Sequence, residues 1–141
     1  MLIKNLRYCR EKLNLKQKDV AKDMDVDYST YCGWETGKDI MSLKRLVQFA
    51  NLYKYSLDFL LGFSKLNNYT EDIVVNYQTV GINLLKLRKM HNKTQSFLTK
   101  KLKISNGTYS NYENGKTLIN IYSLYSLSKV YKFFSVDNLF K

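Results

Sequence analysis

Residues 5–54 and 83–132 are two versions of one sequence: at an offset of 78 they agree at 14 of 50 positions. Gln17 falls on Gln95, Thr30 on Thr108, Tyr31 on Tyr109, Glu35 on Glu113, Gly37 on Gly115 and Lys38 on Lys116. Chance at this composition gives about a quarter of that agreement, so the chain carries an internal repeat. One residue is added near Phe133 or Phe134, after which Ser56-Leu57-Asp58 matches Ser135-Val136-Asp137. Solenoid units run about 20–50 residues, so a longer period predicts two copies of a small domain. Each copy has roughly 60–65 residues, near the lower limit at which one core supports itself.

Apolar residues within each copy recur at helical spacing. In the first, Leu2, Ile3, Leu6, Cys9 and Leu13 form a stripe over residues 2–13, and Val20, Ala21 and Met24 form another over 17–24. A break at Asp25-Val26 follows, with Asp27 placed as N-cap of a third helix over 28–36. Gly37 ends that helix, Ser42 opens a fourth, and Ser56 opens a short fifth that stops at Gly62. The second copy repeats the plan over 82–91, 95–102, 106–114, 121–131 and 136–140. Between them the connector starts polar, then Thr70-Glu71-Asp72 reads as a helix start and Gly81 as a break. Most of the 12 tyrosines read as core, with Tyr122, Tyr125 and Tyr131 also candidates for a contact between copies. The expected fold is all-α, with no alternating stretch that argues for a sheet. Its parts are a first five-helix domain over 1–62, a partly helical linker over 63–80 and a second five-helix domain over 81–141.

At 45% hydrophobic and 25% charged residues the chain is globular, not disordered. No apolar run approaches a membrane span and no signal-peptide pattern opens the chain, so a cytoplasmic protein is expected. Cys9 and Cys32 have Leu87 and Ser110 at their matching positions, which predicts free thiols instead of a structural staple. One His and two Cys do not make a zinc site, so neither metal nor cofactor is expected. An enzyme is excluded on the same inventory, with no triad spacing and no Gly-rich phosphate loop. The net charge is +11, of which residues 1–69 hold +4 (12 basic, 8 acidic) and residues 70–141 hold +7 (11 basic, 4 acidic). Such an excess points to an anionic partner, nucleic acid first and a membrane surface second.

The spacing of Gln17, Val20, Ala21, Met24, Val26, Asp27, Ser29, Thr30, Tyr31, Trp34, Glu35, Gly37 and Lys38 resembles the helix-turn-helix of the Cro/C1-type (XRE) phage and bacterial repressors. In the second copy Gln95, Tyr112, Glu113 and Gly115 agree, while Thr99 replaces the small residue at Ala21. Both copies depart at the turn, where Asp25 and Lys103 stand in place of the family's glycine. A non-glycine residue at positive φ costs about 1–2 kcal/mol, so a reshaped turn is expected. The resemblance implies two Cro/C1 repressor-like domains on double-stranded DNA, each laying its third helix in the major groove. It also implies phosphate and recognition-helix contacts for Gln17 and Gln95, and structural ion pairs Arg10–Glu35 and Arg88–Glu113.

A helix about 10–12 Å across fits the major groove, where base edges carry a distinguishable code. The outward positions near the start of each third helix are therefore the candidate readers. In the first copy these are Tyr28, Ser29, Cys32 and Gly33, and in the second Asn106, Gly107, Ser110 and Asn111, followed by Asn114. Lys38 and Lys116, at one offset after the helix, suit the phosphate strand. The second copy is expected to contribute more of the affinity and reading, because its half carries +7 and its face offers Asn106, Ser110 and Asn111, whereas Asp19, Asp23, Asp25 and Asp27 surround the first reader and repel any phosphate they face. Only Asp27 has a local reason to be occupied, as a helix cap. The composition looks like that of an AT-rich genome. The expected function is a transcriptional regulator, acting as a repressor in a prophage or conjugative plasmid. One chain carries both readers, a monomeric internal pseudo-dimer instead of a homodimer, on an asymmetric site. The rivals are a protein-binding module, such as an antitoxin or anti-CRISPR-type inhibitor, and a nonspecific architectural binder.

Overall fold

The computed structural model describes residues 3–141, and Leu2 of the expected first stripe lies outside them. Among the described residues every regular element is helical. The chain divides into two compact units between Ile73 and Val74. The first holds α1 (Leu6–Lys12), α2 (Gln17–Asp23), α3 (Tyr28–Thr36), α4 (Leu43–Tyr53) and α5 (Leu57–Leu61). The second holds α6 (Tyr77–Met90), α7 (Gln95–Leu102), α8 (Asn106–Glu113), α9 (Ile121–Val130) and a closing 3-10 helix, Asp137–Phe140.

Side-chain caps explain most of the boundaries. Ser42 and Ser56 accept from the Arg45 and Phe59 N–H groups; Thr94, Ser105 and Asn120 do the same for α7, α8 and α9. Asp27 occupies the N-cap position of α3, but its carboxylate makes no capping hydrogen bond. The first helix is shorter than its apolar stripe. Asn5 donates its N–H to the Leu60 carbonyl (3.0 Å) and its Nδ2 to that of Phe59 (2.7 Å), so the segment before Leu6 is tied to α5 instead of winding. Each core is built from the stripes, with Leu6, Phe49 and Leu60 in one and Leu84, Leu98 and Leu127 in the other. The loop residues Met41 and Ile119, equivalent in the repeat, are buried as well. Only four of the twelve tyrosines are buried: Tyr31, Tyr109, Tyr112 and Tyr131.

The repeat extends to the backbone. Asn14 and Asn92, Asp25 and Lys103, and Gly37 and Gly115 are left-handed at corresponding places, as are Lys54 and, one place past its match Lys132, Phe133. The helix-turn-helix turn is therefore not reshaped: Asp25 takes φ 56° and Lys103 φ 57°. In each case the next N–H closes back onto the preceding helix, Val26 to the Ala21 carbonyl (3.0 Å) and Ile104 to that of Thr99 (3.2 Å). Those bonds offset the left-handed cost by satisfying carbonyls the helix end leaves free.

Two expectations for the connector are corrected. Thr70-Glu71-Asp72 starts no helix. The side chain of Asn51 pairs with both the N–H (2.8 Å) and carbonyl (2.9 Å) of Ile73, and Lys54 meets Asp72 at 2.9 Å, which holds the segment extended along the first unit. The helix begins at Tyr77, capped by Asn76, and passes Gly81 without interruption. A Cβ on Gly81 would stand 2.5 Å from the Glu113 carbonyl oxygen and 2.7 Å from that of Tyr112. Gly81 is a packing residue that lets α6 cross the end of α8.

Candidate nucleic-acid interface

Two matching constellations orient α3 and α8. Arg10 grips Glu35 through a fork, Nε to Oε2 at 2.6 Å and Nη2 to Oε1 at 3.0 Å, and its Nη1 donates to the Leu15 carbonyl at 2.8 Å. Arg88 grips Glu113 at 2.7 and 3.0 Å and reaches the Lys93 carbonyl at 3.1 Å. The carboxylate side chains are only 3% and 4% exposed, so each acid depends on its arginine. From there the network runs outward. Gln17 donates to Glu35 (3.1 Å) and accepts from Cys32 Sγ (3.3 Å), while Gln95 donates to Glu113 (3.0 Å) and accepts from Ser110 Oγ (3.0 Å). The start of α2 is thus fixed to the middle of α3, and that of α7 to α8.

The pair has a pH signature. Burial pushes the Glu35 carboxyl up, but hydrogen bonds from Arg10 and Gln17, with Tyr31 nearby, outweigh it and hold the group below its usual range. Glu113 is held low by Arg88, Gln95 and Tyr109 against the same burial. In the unfolded chain both take protons near about pH 4.3. Their stability is therefore complete above that pH and is lost as pH falls through the lower folded values. Acid unfolding followed by circular dichroism should weaken in slope in Glu113→Gln; an unchanged acid limb would place the pH dependence elsewhere.

The candidate readers divide into three groups. Tyr28 (57% exposed), Ser29, Asn106 and Gly107 face solvent at the helix starts. Cys32, Ser110 and Asn111 are half-buried, the first two on the glutamines. Gly33 is buried, and a Cβ there would meet the Asp39 carboxylate at 2.1 Å. Asn114 caps the exposed end of α8, and Lys38 and Lys116 are exposed just past the left-handed glycines.

Other contacts lie outside the candidate residues. Thr99, at the alanine position of the motif, is buried and its hydroxyl lies 2.9 Å from Asn106 Oδ1, which holds that amide at the start of α8. Lys16 and Lys18 join Arg10, Gln17 and Tyr28 around a groove of about 410 Å³ at the start of α2. Their signal was available as two lysines flanking Gln17, where the repeat has Thr94 and Ser96. The acidic residues also need correction. Asp19 accepts from the Lys16 N–H (2.8 Å) and Asp23 from the Tyr53 hydroxyl (2.8 Å), whereas the expected cap, Asp27, is exposed and makes no capping bond. Both cysteines are free, and burial pushes the Cys9 thiol up to about 12 against a hydrogen bond with Tyr55. Among the described residues no group of three or more His, Cys, Asp or Glu is placed to hold a metal, and no helix is long and apolar enough to cross a membrane.

Two short helices joined by a left-handed turn, the second presenting its N-terminal face to solvent, define a helix-turn-helix unit, and the chain has two of them. The helix-turn-helix family model matches residues 6–60 and again 84–138, and the chain belongs to that family, the Cro/C1-type (XRE) DNA-binding regulators. No curated protein and no solved structure matches it significantly.

Proposed function

We propose that the chain is a sequence-specific regulator of transcription in the cytoplasm, reading double-stranded DNA with α3 and α8 in the major groove. The observation that carries this reading is the doubled Arg–Glu–Gln network, which ties α3 and α8 to the helices before them in each unit. Preorganised side chains are what base recognition needs, since bidentate contacts tolerate little misplacement. Phosphate contacts come from Gln17, Lys38, Gln95 and Lys116, and base contacts from Tyr28, Ser29, Asn106 and Ser110. Because one chain supplies both readers, no two-fold partner is needed, and because the readers differ, the site is asymmetric. Repression within a mobile element is the setting that best suits an AT-rich composition.

The test is to select bound fragments from random duplexes and then measure Asn106→Ala and Thr99→Ala on the selected site and its single-base variants. Asn106→Ala should cost about 1–3 kcal/mol of discrimination at one base pair. Thr99→Ala should erode discrimination at the same base pair, because it frees the amide without removing it. Salt-dependent binding with no preferred sequence would favour an architectural binder. Tight binding of a protein with no duplex preference would favour the inhibitor reading.

A further inference from the structure

One face of the repeated domain carries opposite charge in the two copies. In the second, a groove of about 580 Å³ between α7 and α9 is lined by Lys93, Phe97, Lys101, Lys103, Tyr122 and Lys129, with no acidic residue among its lining. Phe97 and Tyr122 are 36% and 55% exposed, and the Lys93 and Lys101 ammonium groups lie 4.7 and 5.5 Å from the Phe97 ring centre. At the offset of 78 the same six positions in the first copy are Leu15, Asp19, Asp23, Asp25, Lys44 and Asn51. Four lysines, +4, stand against three aspartates and one lysine, −2. Asp23 and Asp25 are exposed, and Asp23 is held in place by Tyr53. Where the second copy has Lys129, Asn51 is covered by Ile73 of the connector, so the acidic face is confined to the α2 end.

We propose that the basic groove of one chain docks on the acidic α2 face of a second copy, head to tail. Either face repels its own kind and complements the other, so a contact pairs the groove of one chain with the acidic face of the next. The exposed aromatic rings give the contact an apolar centre within a cationic rim. A heterologous contact leaves one face free at each end, so association grows with concentration. It involves neither reading helix and is independent of DNA binding.

The experiment is sedimentation velocity on the full chain without DNA. Two variants, Asp23→Lys/Asp25→Lys and Lys101→Asp/Lys103→Asp, each install the residues that the other copy already holds at those positions. Asp25 and Lys103 share the left-handed conformation, so the backbone accepts the exchange. At low ionic strength, where the Debye length is about 30 Å, the wild-type mass should rise with concentration above 16.7 kDa; in about 1 M salt, at about 3 Å, it should return to the single chain. Each variant alone should stay a single chain. Mixed, they retain one intact face apiece and should associate with each other. A wild-type chain that stays single at every concentration, variants that associate like wild type, or a mixture that does not pair would each overturn the proposal. So would Lys101→Asp/Lys103→Asp abolishing duplex binding without changing self-association, since the groove would then belong to nucleic acid.

Discussion

Replacing Arg10 by alanine should unfold the first domain or bring it to the edge of unfolding. The change leaves the Glu35 carboxylate, 3% exposed, with Gln17 in place of a guanidinium, and removes the donor to the Leu15 carbonyl. Breaking a buried pair from one side costs about 3–5 kcal/mol. A domain of this size has about 4–11 kcal/mol in total, so a large share of its stability is at stake. Hydrogen exchange read by mass spectrometry localises the effect: peptides from residues 6–61 should lose protection, while those from 84–139 keep it. Arg88→Ala should invert that pattern. Arg7→Ala is the control, because Arg7 and Glu11 pair at the surface with side chains 72% and 53% exposed, where such pairs are worth about 0–1 kcal/mol. Lowering the pH should recover part of the Arg10→Ala loss as the unpaired Glu35 takes a proton. If Arg10→Ala melts within a few degrees of Arg7→Ala, the pair does not hold α3 in place.

The double variant Lys16→Ala/Lys18→Ala should weaken binding to every duplex by about 30-fold at 0.15 M salt, if both lysines contact phosphate. The slope of log K against log salt should become shallower by about 1.8, or about 0.9 for each contact. Both lysines flank Gln17 at the start of α2, where free N–H groups already favour an anion. Asp19 and Asp23, which would oppose a phosphate, are occupied by the Lys16 N–H and the Tyr53 hydroxyl. The equivalent pair in the second copy, Thr94 and Ser96, is neutral. A loss of that size would give the first domain the stronger phosphate anchor, against the expectation that the second copy contributes more. Gel shift or fluorescence anisotropy over a salt series decides it: an unchanged slope would put the lysines off the phosphate path. A loss confined to one sequence would make them base readers.

The sequence by itself determined the duplication, the all-helical class and the boundaries of α3, α5 and α7. Those are set by hydrogen bonds and apolar spacing within a few residues, such as Ser56 on Phe59 or Gly37 ending α3. Glu35, Gln17 and their counterparts were legible through the resemblance, which rests on their spacing within one helix-turn-helix. What only the tertiary structure decided spans longer intervals. Asn5 shortens α1 by bonding to α5, Asn51 pulls residues 70–73 out of a helix, and Gly81 packs against α8 instead of breaking α6. Likewise Gly33 is covered by Asp39, and Asp23 is engaged by Tyr53 thirty positions away. A local pattern states which conformation a segment prefers. It does not state which distant donor or carbonyl will compete for that segment's hydrogen bonds, and at these positions the competition set the outcome.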